Sequence, residues 1–300
     1  MHMEDGQPSE TAIQVASLRA FHFVCDGEPK ILRDDLAMAL AGFADEASLR
    51  GAMDEFKARL GTAMRKDKIE TFVDRLRALV CLRARYAEDE LADAVETGVS
   101  QCVVLGAGLD SMAYRRQDLT NGLRVFELDH PASQAWKRKR LREIGVDIPS
   151  NLAFVPIDFA RQTLRQSLRP PEFRWDVPTF FSWLGVTMYL AEATVISTLR
   201  DVAGMKKGSK IVFDYNDPPS DLSADLRRGG DALAAVVAKQ REPFQSVFDP
   251  SALAVRLREL GFSAVHGLDA EEANRRYFVG RRDGLALPPS SIIPIVAARV

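Results

Sequence analysis

The stretch QCVVLGAGLDSMAYRR, residues 101–116, joins a short apolar run to two glycines, an acid and a pair of arginines. Gly106 and Gly108 have access to backbone angles that other residues avoid, and neither places a Cβ between loop and ligand. A glycine pair directly after a buried strand begins a dinucleotide loop, Gly-x-Gly-x-x-Gly, but Ser111 stands where the third glycine belongs. Alone, the pair suits a tight strand-to-helix turn without a ligand equally well. Two further acids follow at matching places. "VFELDHP" ends on Glu127 and Asp129, and Asp129 lies 23 positions after Gly106. An acid about 20 residues beyond the glycines, at the tip of the next strand, can accept hydrogen bonds from both ribose hydroxyls. Before Pro131 it can also cap a helix. "FVPIDF" then puts Asp158 and Phe159 at a third strand end. There a carboxylate can accept from an adenine amino group while the phenyl ring packs the base.

These types and spacings point to an adenosine-bearing ligand with no requirement for phosphate. S-adenosylmethionine fits, because its ribose wants an acid and its amino-acid carboxylate wants a cation. Arg85, within "LRARYAEDEL", is the candidate for that carboxylate through bidentate pairing. A general base for a hydroxyl acceptor would be sought among His130, beside the ribose acid, and His22 near the N-terminus. Tyr189 is a further residue that could face a substrate. None of the three is assigned a catalytic role.

Positioning three strand ends side by side requires a parallel sheet. After Gly98 short apolar runs alternate with helical stretches: Cys102–Leu105, Val125–Leu128, Ala153–Ile157, Thr179–Trp183 and Ile211–Tyr215 read as buried strands. Such alternation predicts an α/β fold with helices on both faces of the sheet, and ligands at the strands' carboxyl ends. "FSAVHGL" and "RRYFVGRR" are expected as two closing strands, and the segment near 216–240 as an inserted loop and helix. Residues 1–97 read as a polar tail and a helical cover, with Phe72, Leu76, Leu79 and Val80 on one helix face, and residues 98–300 as the ligand-binding core.

Composition narrows the function classes. The 300 residues are 46% apolar and 27% charged with a net charge of −2, which suits a globular enzyme and exerts no overall pull on nucleic acid or anionic lipid. "KRKRLR" at 137–142 falls within one predicted helix and reads as a solvated face. Four dispersed histidines give no zinc spacing, so no metal is expected. Three scattered cysteines suit reduced thiols. The first residues are polar and acidic, and the longest uncharged stretch, Val177 to Ala191, is short of the ~20 residues of a membrane span. A cytoplasmic protein is expected.

Taken together, "CVVLGAGLDSMAYR", "VFELDHPASQAWKRKRL", "VPIDF", "MYL" and "GSKIVFDY", with the upstream "TAIQVASLRAFHF…PKILRDDLA", resemble the leucine carboxyl methyltransferase-like family. That family includes bacterial S-adenosylmethionine-dependent O-methyltransferases linked to polyketide and other secondary metabolism. The resemblance covers roughly residues 11–283. It implies a class I methyltransferase (Rossmann-like) fold, a seven-stranded sheet with the last strand antiparallel, under an N-terminal helical cover. It matches Arg85 to the arginine holding the cofactor carboxylate, Gly106 and Gly108 to the glycine loop, Asp129 to the ribose acid, and Asp158 and Phe159 to the adenine pair. Arg19 falls on a basic position of the cover. One position departs: many relatives carry a glutamate where "SWLGVTMYL" has Leu184, so any contact made by that carboxylate is absent or supplied elsewhere.

The activity implied is methylation of a carboxylate or hydroxyl on a small secondary metabolite or a peptide terminus. A nicotinamide-dependent oxidoreductase is the rival within enzymes; Ser111 and the lack of an evident Tyr-x-x-x-Lys weigh against it. Leu184 leaves room for a catalytically silent cofactor-binding relative.

Overall fold

The computed structural model describes residues 9–61, 64–169, 171–218, 224–287 and 294–300. Four helices precede the first strand: α1 (Glu10–Cys25), α2 (Ala37–Ala41), α3 (Glu46–Leu60) and α4 (Lys66–Glu96). Then follow β1 (Gln101–Leu105), α5 (Met112–Arg115), α6 (Gln117–Thr120), β2 (Arg124–Asp129), α7 (Pro131–Glu143), β3 (Leu152–Pro156), α8 (Leu164–Ser167) and β4 (Thr179–Trp183). The chain continues through α9 (Glu192–Ala203), β5 (Lys210–Asp214), α10 (Ala224–Lys239), α11 (Pro250–Leu260), β6 (Ala264–Gly267), α12 (Ala270–Ala273) and β7 (Ile295–Arg299).

The strands form one seven-stranded sheet in the order β3-β2-β1-β4-β5-β7-β6. β1 to β5 run parallel, and β7 lies antiparallel between β5 and β6. The central strands are apolar throughout because helices cover both faces. On one face Cys102, Val104, Val125 and Phe180 pack with Ala78, Cys81, Leu82 and Tyr86 of α4. On the other, Val103, Leu105, Phe181 and Trp183 meet Val195 and Leu199 of α9 and Leu253 and Leu257 of α11.

Two features differ from the sequence expectation. "RRYFVGRR" contains no strand; Asn274–Phe278 forms a π-helical turn after α12. Tyr277 and Phe278 are both buried in the core that includes α4, whereas a strand would send successive side chains to opposite faces. The closing strand is instead "IVAAR", whose two alanines carry little β signal but fit the crowded position between β5 and β6. The inserted helix α10 also leaves the sheet and joins the cover. Its Ala232 and Val236 pack with Leu18, Met53, Phe56 and Val73, and a Cβ at Gly229 would lie 2.2 Å from the Phe72 ring. Of the insertion expected near 216–240, residues 219–223 lie outside the described residues.

A buried polar network ties the cover to the loop after β1. Asp34, between α1 and α2, accepts from Arg19 Nε at 2.8 Å and from Ser111 Oγ at 2.7 Å on the same oxygen. Arg19 Nη2 also donates to the Leu109 carbonyl at 2.6 Å, and Arg115 pairs with buried Glu88. Ser111 thus occupies the third-glycine place as a structural node. Burial opposes ionisation of Asp34, but Arg19, Arg115 and the Ser111 hydroxyl outweigh it and hold the carboxyl below its ordinary range. Its contribution to stability is therefore present above the ordinary carboxylate value of about 3.9 and is lost as pH falls through the lower folded value. Asp34→Asn strands Arg19, and urea unfolding at pH 7 is expected to show a loss of about 3–5 kcal/mol. The wild-type and variant curves should converge on strong acidification.

Candidate active site

A cavity of about 310 Å³ lies between the carboxyl ends of the parallel strands and the cover. Its floor is the loop after β1. Gly106 and Gly108 have φ of +65° and +41°, the left-handed region that favours glycine. A Cβ on Gly106 would also come within 2.4 Å of Val186, so protein packing alone already demands glycine there. The loop is fastened to β2 by Gly106 N and Ala107 N, which donate to the Leu128 carbonyl at 2.8 and 3.0 Å.

Asp129 ends β2 and faces the cavity. One carboxylate oxygen accepts from Gly108 N at 2.5 Å and the other from His130 N at 2.6 Å. Burial raises its carboxyl above the ordinary value, and the two N–H groups oppose that rise. A carboxylate has about four lone-pair positions, so each oxygen keeps one for a ligand. This is the acceptor pattern a vicinal diol requires. Glu127, one pleat deeper, is paired with Lys137 Nζ at 2.7 Å and does not line the cavity; burial pushes its carboxyl up to about 7.

Asp158 and Phe159 line the cavity after β3. Asp158 Oδ1 accepts from Ala160 N at 3.0 Å, which holds the turn. The Phe159 ring stacks on Trp183 with centroids 6.0 Å apart and planes 28° apart, which fixes an apolar wall.

The two arginines of "LRARY" separate sharply. Arg85 does not line the cavity: its Nε bonds Asp89 Oδ1 at 2.8 Å, and its side chain is 43% exposed. Arg83 does line it, and its Nη1 bonds Asp214 Oδ2 at 2.6 Å. Residues two apart on a helix point roughly 200° apart, so only one of the pair can face the sheet ends. The signal was present in the sequence, since Arg83 follows Leu76, Leu79 and Val80 at helical spacing on the same face. Asp214 Oδ1 accepts from Gly185 N at 2.6 Å, and a Cβ on Gly185 would lie 2.5 Å from Arg83 Nη2. The glycine of "SWLGVTMYL" therefore makes room for the guanidinium. Arg19 also lines the cavity, committed to Asp34 and Leu109.

Leu184 lines the cavity and brings no charge. A carboxylate enters from another element: Glu242, just beyond α10, is buried on the cavity wall. Its Oε2 accepts from Ser9 Oγ at 3.0 Å and from the Thr11 hydroxyl. Nothing in the local sequence around Glu242 marks it. Tyr189 stands nearby and packs against Phe244 with centroids 5.4 Å apart. His130 faces the cavity, while its Nδ1 accepts from Ala132 N at 3.3 Å as the cap of α7. His22 is fully buried with both ring nitrogens used, Nδ1 toward Asp26 at 2.7 Å and Nε2 accepting from Ile31 N at 2.9 Å. It serves the cover's structure.

The family model described as leucine carboxyl methyltransferase matches residues 12–203. YktD of Bacillus subtilis (strain 168), named as an S-adenosyl-L-methionine-dependent methyltransferase, is 30% identical over 295 residues, covering 95% of this chain and 96% of its own. A Mycolicibacterium gilvum protein named for the same activity is 34% identical over 148 residues, covering 48% of this chain and 46% of its own. Among solved structures, a DUF574 family protein from Streptomyces avermitilis superposes with a TM-score of 0.53 at 14% identity, over 87% of this chain and 94% of its own. With the strand order and the glycine loop, these likenesses establish a class I methyltransferase fold. The chain belongs to the leucine carboxyl methyltransferase family and is an S-adenosylmethionine-dependent methyltransferase.

Proposed function

We propose that the methyl group goes to an oxygen, a carboxylate or a hydroxyl, of a small secondary metabolite or a peptide terminus. The observation that supports a small acceptor is a second cavity of about 150 Å³ beside the main one, sharing its Arg83, Gly185 and Tyr189 wall. Leu76, Leu79, Leu233 and Val237 from the cover line it, which suits a small acceptor or one side chain better than a folded surface. Residues 1–97 are the N-terminal tail and helical cover in this reading and 98–300 the donor-binding core, with α10 returning to the cover. A cytoplasmic setting belongs to it too, supported by free cysteines at 25, 81 and 102. No helix among the described residues is long and apolar enough to cross a membrane.

S-adenosylmethionine supplies an activated methyl group on a sulfonium. The residues that would hold it follow from their open bonding positions. Asp129 offers its two remaining lone pairs to the ribose hydroxyls, Asp158 accepts from the adenine amino group, and Phe159 packs the ring. Gly106 and Gly108 keep the floor free of side chains. Arg83, with Nη1 held by Asp214, has Nε and Nη2 left for the amino-acid carboxylate, the role that the family resemblance placed on Arg85. Fixed groups of this kind accelerate an in-line transfer chiefly by holding donor and acceptor at attack distance.

Calorimetric titration with S-adenosylhomocysteine tests these assignments. Arg83→Ala should weaken binding by about 10- to 100-fold, the range for losing a charge-assisted pair, whereas Arg85→Ala should leave it within about twofold. The opposite ranking would return the carboxylate to Arg85. Asp129→Ala should cost about 1–3 kcal/mol of binding, and unchanged affinity in a folded variant would remove Asp129 from the site. Gly185→Ala, which pushes on the guanidinium, should weaken binding in the same direction as Arg83→Ala.

A further inference from the structure

The two cavities hold an unbalanced set of charges. Asp110, Asp129, Asp158 and Glu242 line the larger one and Asp214 the smaller, whereas the cationic or titratable basic side chains lining them are Arg19, Arg83 and His130. Arg19 is spent on Asp34 and the Leu109 carbonyl, and Arg83 is divided between Asp214 and, in the reading above, the cofactor's carboxylate. His130 sits beside Asp129, at the ribose end. An acceptor carboxylate at the Tyr189 end would meet Glu242 with no uncommitted arginine or lysine among the described lining residues to offset it. Like charges juxtaposed in a partly desolvated site disfavour binding.

Glu242 is also placed to act. Its Oε2 takes the bonds from Ser9 and Thr11, and Oε1 is bonded to no described residue. Ser9 and Thr11 hold the carboxylate on the wall of the main cavity, where Thr11 and Tyr189 also line the small chamber. Burial raises its carboxyl above the ordinary value, Ser9 and Thr11 oppose the rise, and Glu10 and Asp129 add to it. Leu18, Leu76, Leu79, Leu233 and Val237 give the small chamber an apolar lining, broken by Arg83, Asp214 and Asn216, and about 150 Å³ is the size of cavity that holds a single benzene ring. It carries one polar feature without a protein partner: both amide atoms of Gln14 are buried and unbonded among the described residues. A buried amide left open in this way is completed by a ligand or a water.

We propose that the acceptor is a neutral hydroxyl on an apolar molecule of about one ring, seated in the small chamber, and that Glu242 takes the hydroxyl proton. This rests on the methyltransferase reading above and chooses between its two oxygen acceptors. The hydroxyl oxygen takes the methyl group with its own lone pair, leaving the former carbon–sulfur pair on sulfur, and its proton passes to Glu242 Oε1 and on to solvent. Glu242 thus supplies, from the far side of α10, a carboxylate that position 184 lacks.

The test uses the full chain saturated with S-adenosylhomocysteine and two matched probes, 4-ethylphenol and 4-ethylbenzoate, with binding followed by ligand-observed NMR. The phenol should bind more tightly by about tenfold or more, the penalty expected of a like charge beside Glu242. Glu242→Gln preserves the bonds from Ser9 and Thr11, so a merely structural role would leave this preference unchanged. The proposal expects the preference to shrink by about tenfold as benzoate binding strengthens. It also expects methylation of the phenol to fall by about 10²- to 10⁴-fold. Thr11→Val, which removes one bond to the carboxylate but keeps its charge, should retain the preference. Benzoate binding as tightly as the phenol, an unchanged preference in Glu242→Gln, or binding of neither probe to the cofactor-loaded protein overturns the inference. Failure of S-adenosylhomocysteine itself to bind overturns the cofactor assignments and this inference together.

Discussion

The ion pair between Arg83 and Asp214 is the contact on which the site depends. It joins the long cover helix α4 to the end of β5 at 2.6 Å, and the cavity is the space that this spacing leaves between cover and sheet. Removing both charges from water is costly, and a buried pair holds only when its remaining bonding positions are met. Asp214 meets them with the Gly185 N–H, and Gly185 has no Cβ to collide with the guanidinium. One arginine, one aspartate and one glycine from three separate elements thus define both the width of the cavity and the cationic end of it.

The opposite end is built on the same logic with neutral donors. Asp129 is pinned by two backbone N–H groups, not by a cation, so each carboxylate oxygen keeps a bonding position open at the cavity. Ser111, which spoils the dinucleotide pattern, is not idle: it bonds Asp34 and with Arg19 locks the glycine loop to α1. Departure from one loop pattern is here a requirement of the cover, since a third glycine would leave Asp34 one donor short in a buried place. Glu242 and Thr11 extend the same linkage to α10, so the cover closes on the cavity through polar contacts at three points.

Much of the fold was legible because its signals are local. A strand buried on both faces reads as an apolar run, and β1, β2, β3, β4 and β5 were visible to within a residue or two at each end. The last strand was not. "IVAAR" has two alanines of low β propensity at its centre, and it becomes a strand because β5 and β6 present edges on either side of it. "RRYFVGRR" looked better as a strand, yet its adjacent aromatics both bury toward the core containing α4, which a helical turn allows and a strand does not.

By itself the sequence determined the strand ends and what stands at them: Gly106, Gly108, Asp129, Asp158 and Phe159 all line one cavity, as a parallel sheet requires. Their placement follows from local pattern, because the residue after an apolar run must emerge at the strand's carboxyl edge. Tertiary structure decided that Arg83 faces them and that a carboxylate from a distant loop, Glu242, reaches the same cavity. Arg83 shares the Leu76, Leu79 and Val80 face of α4, a phase visible in the sequence, but only the docking of α4 turns that face toward the strand ends. Glu242 lies in a loop with no pattern of its own, and it reaches the cavity because α10 packs on the cover through Gly229 and Phe72.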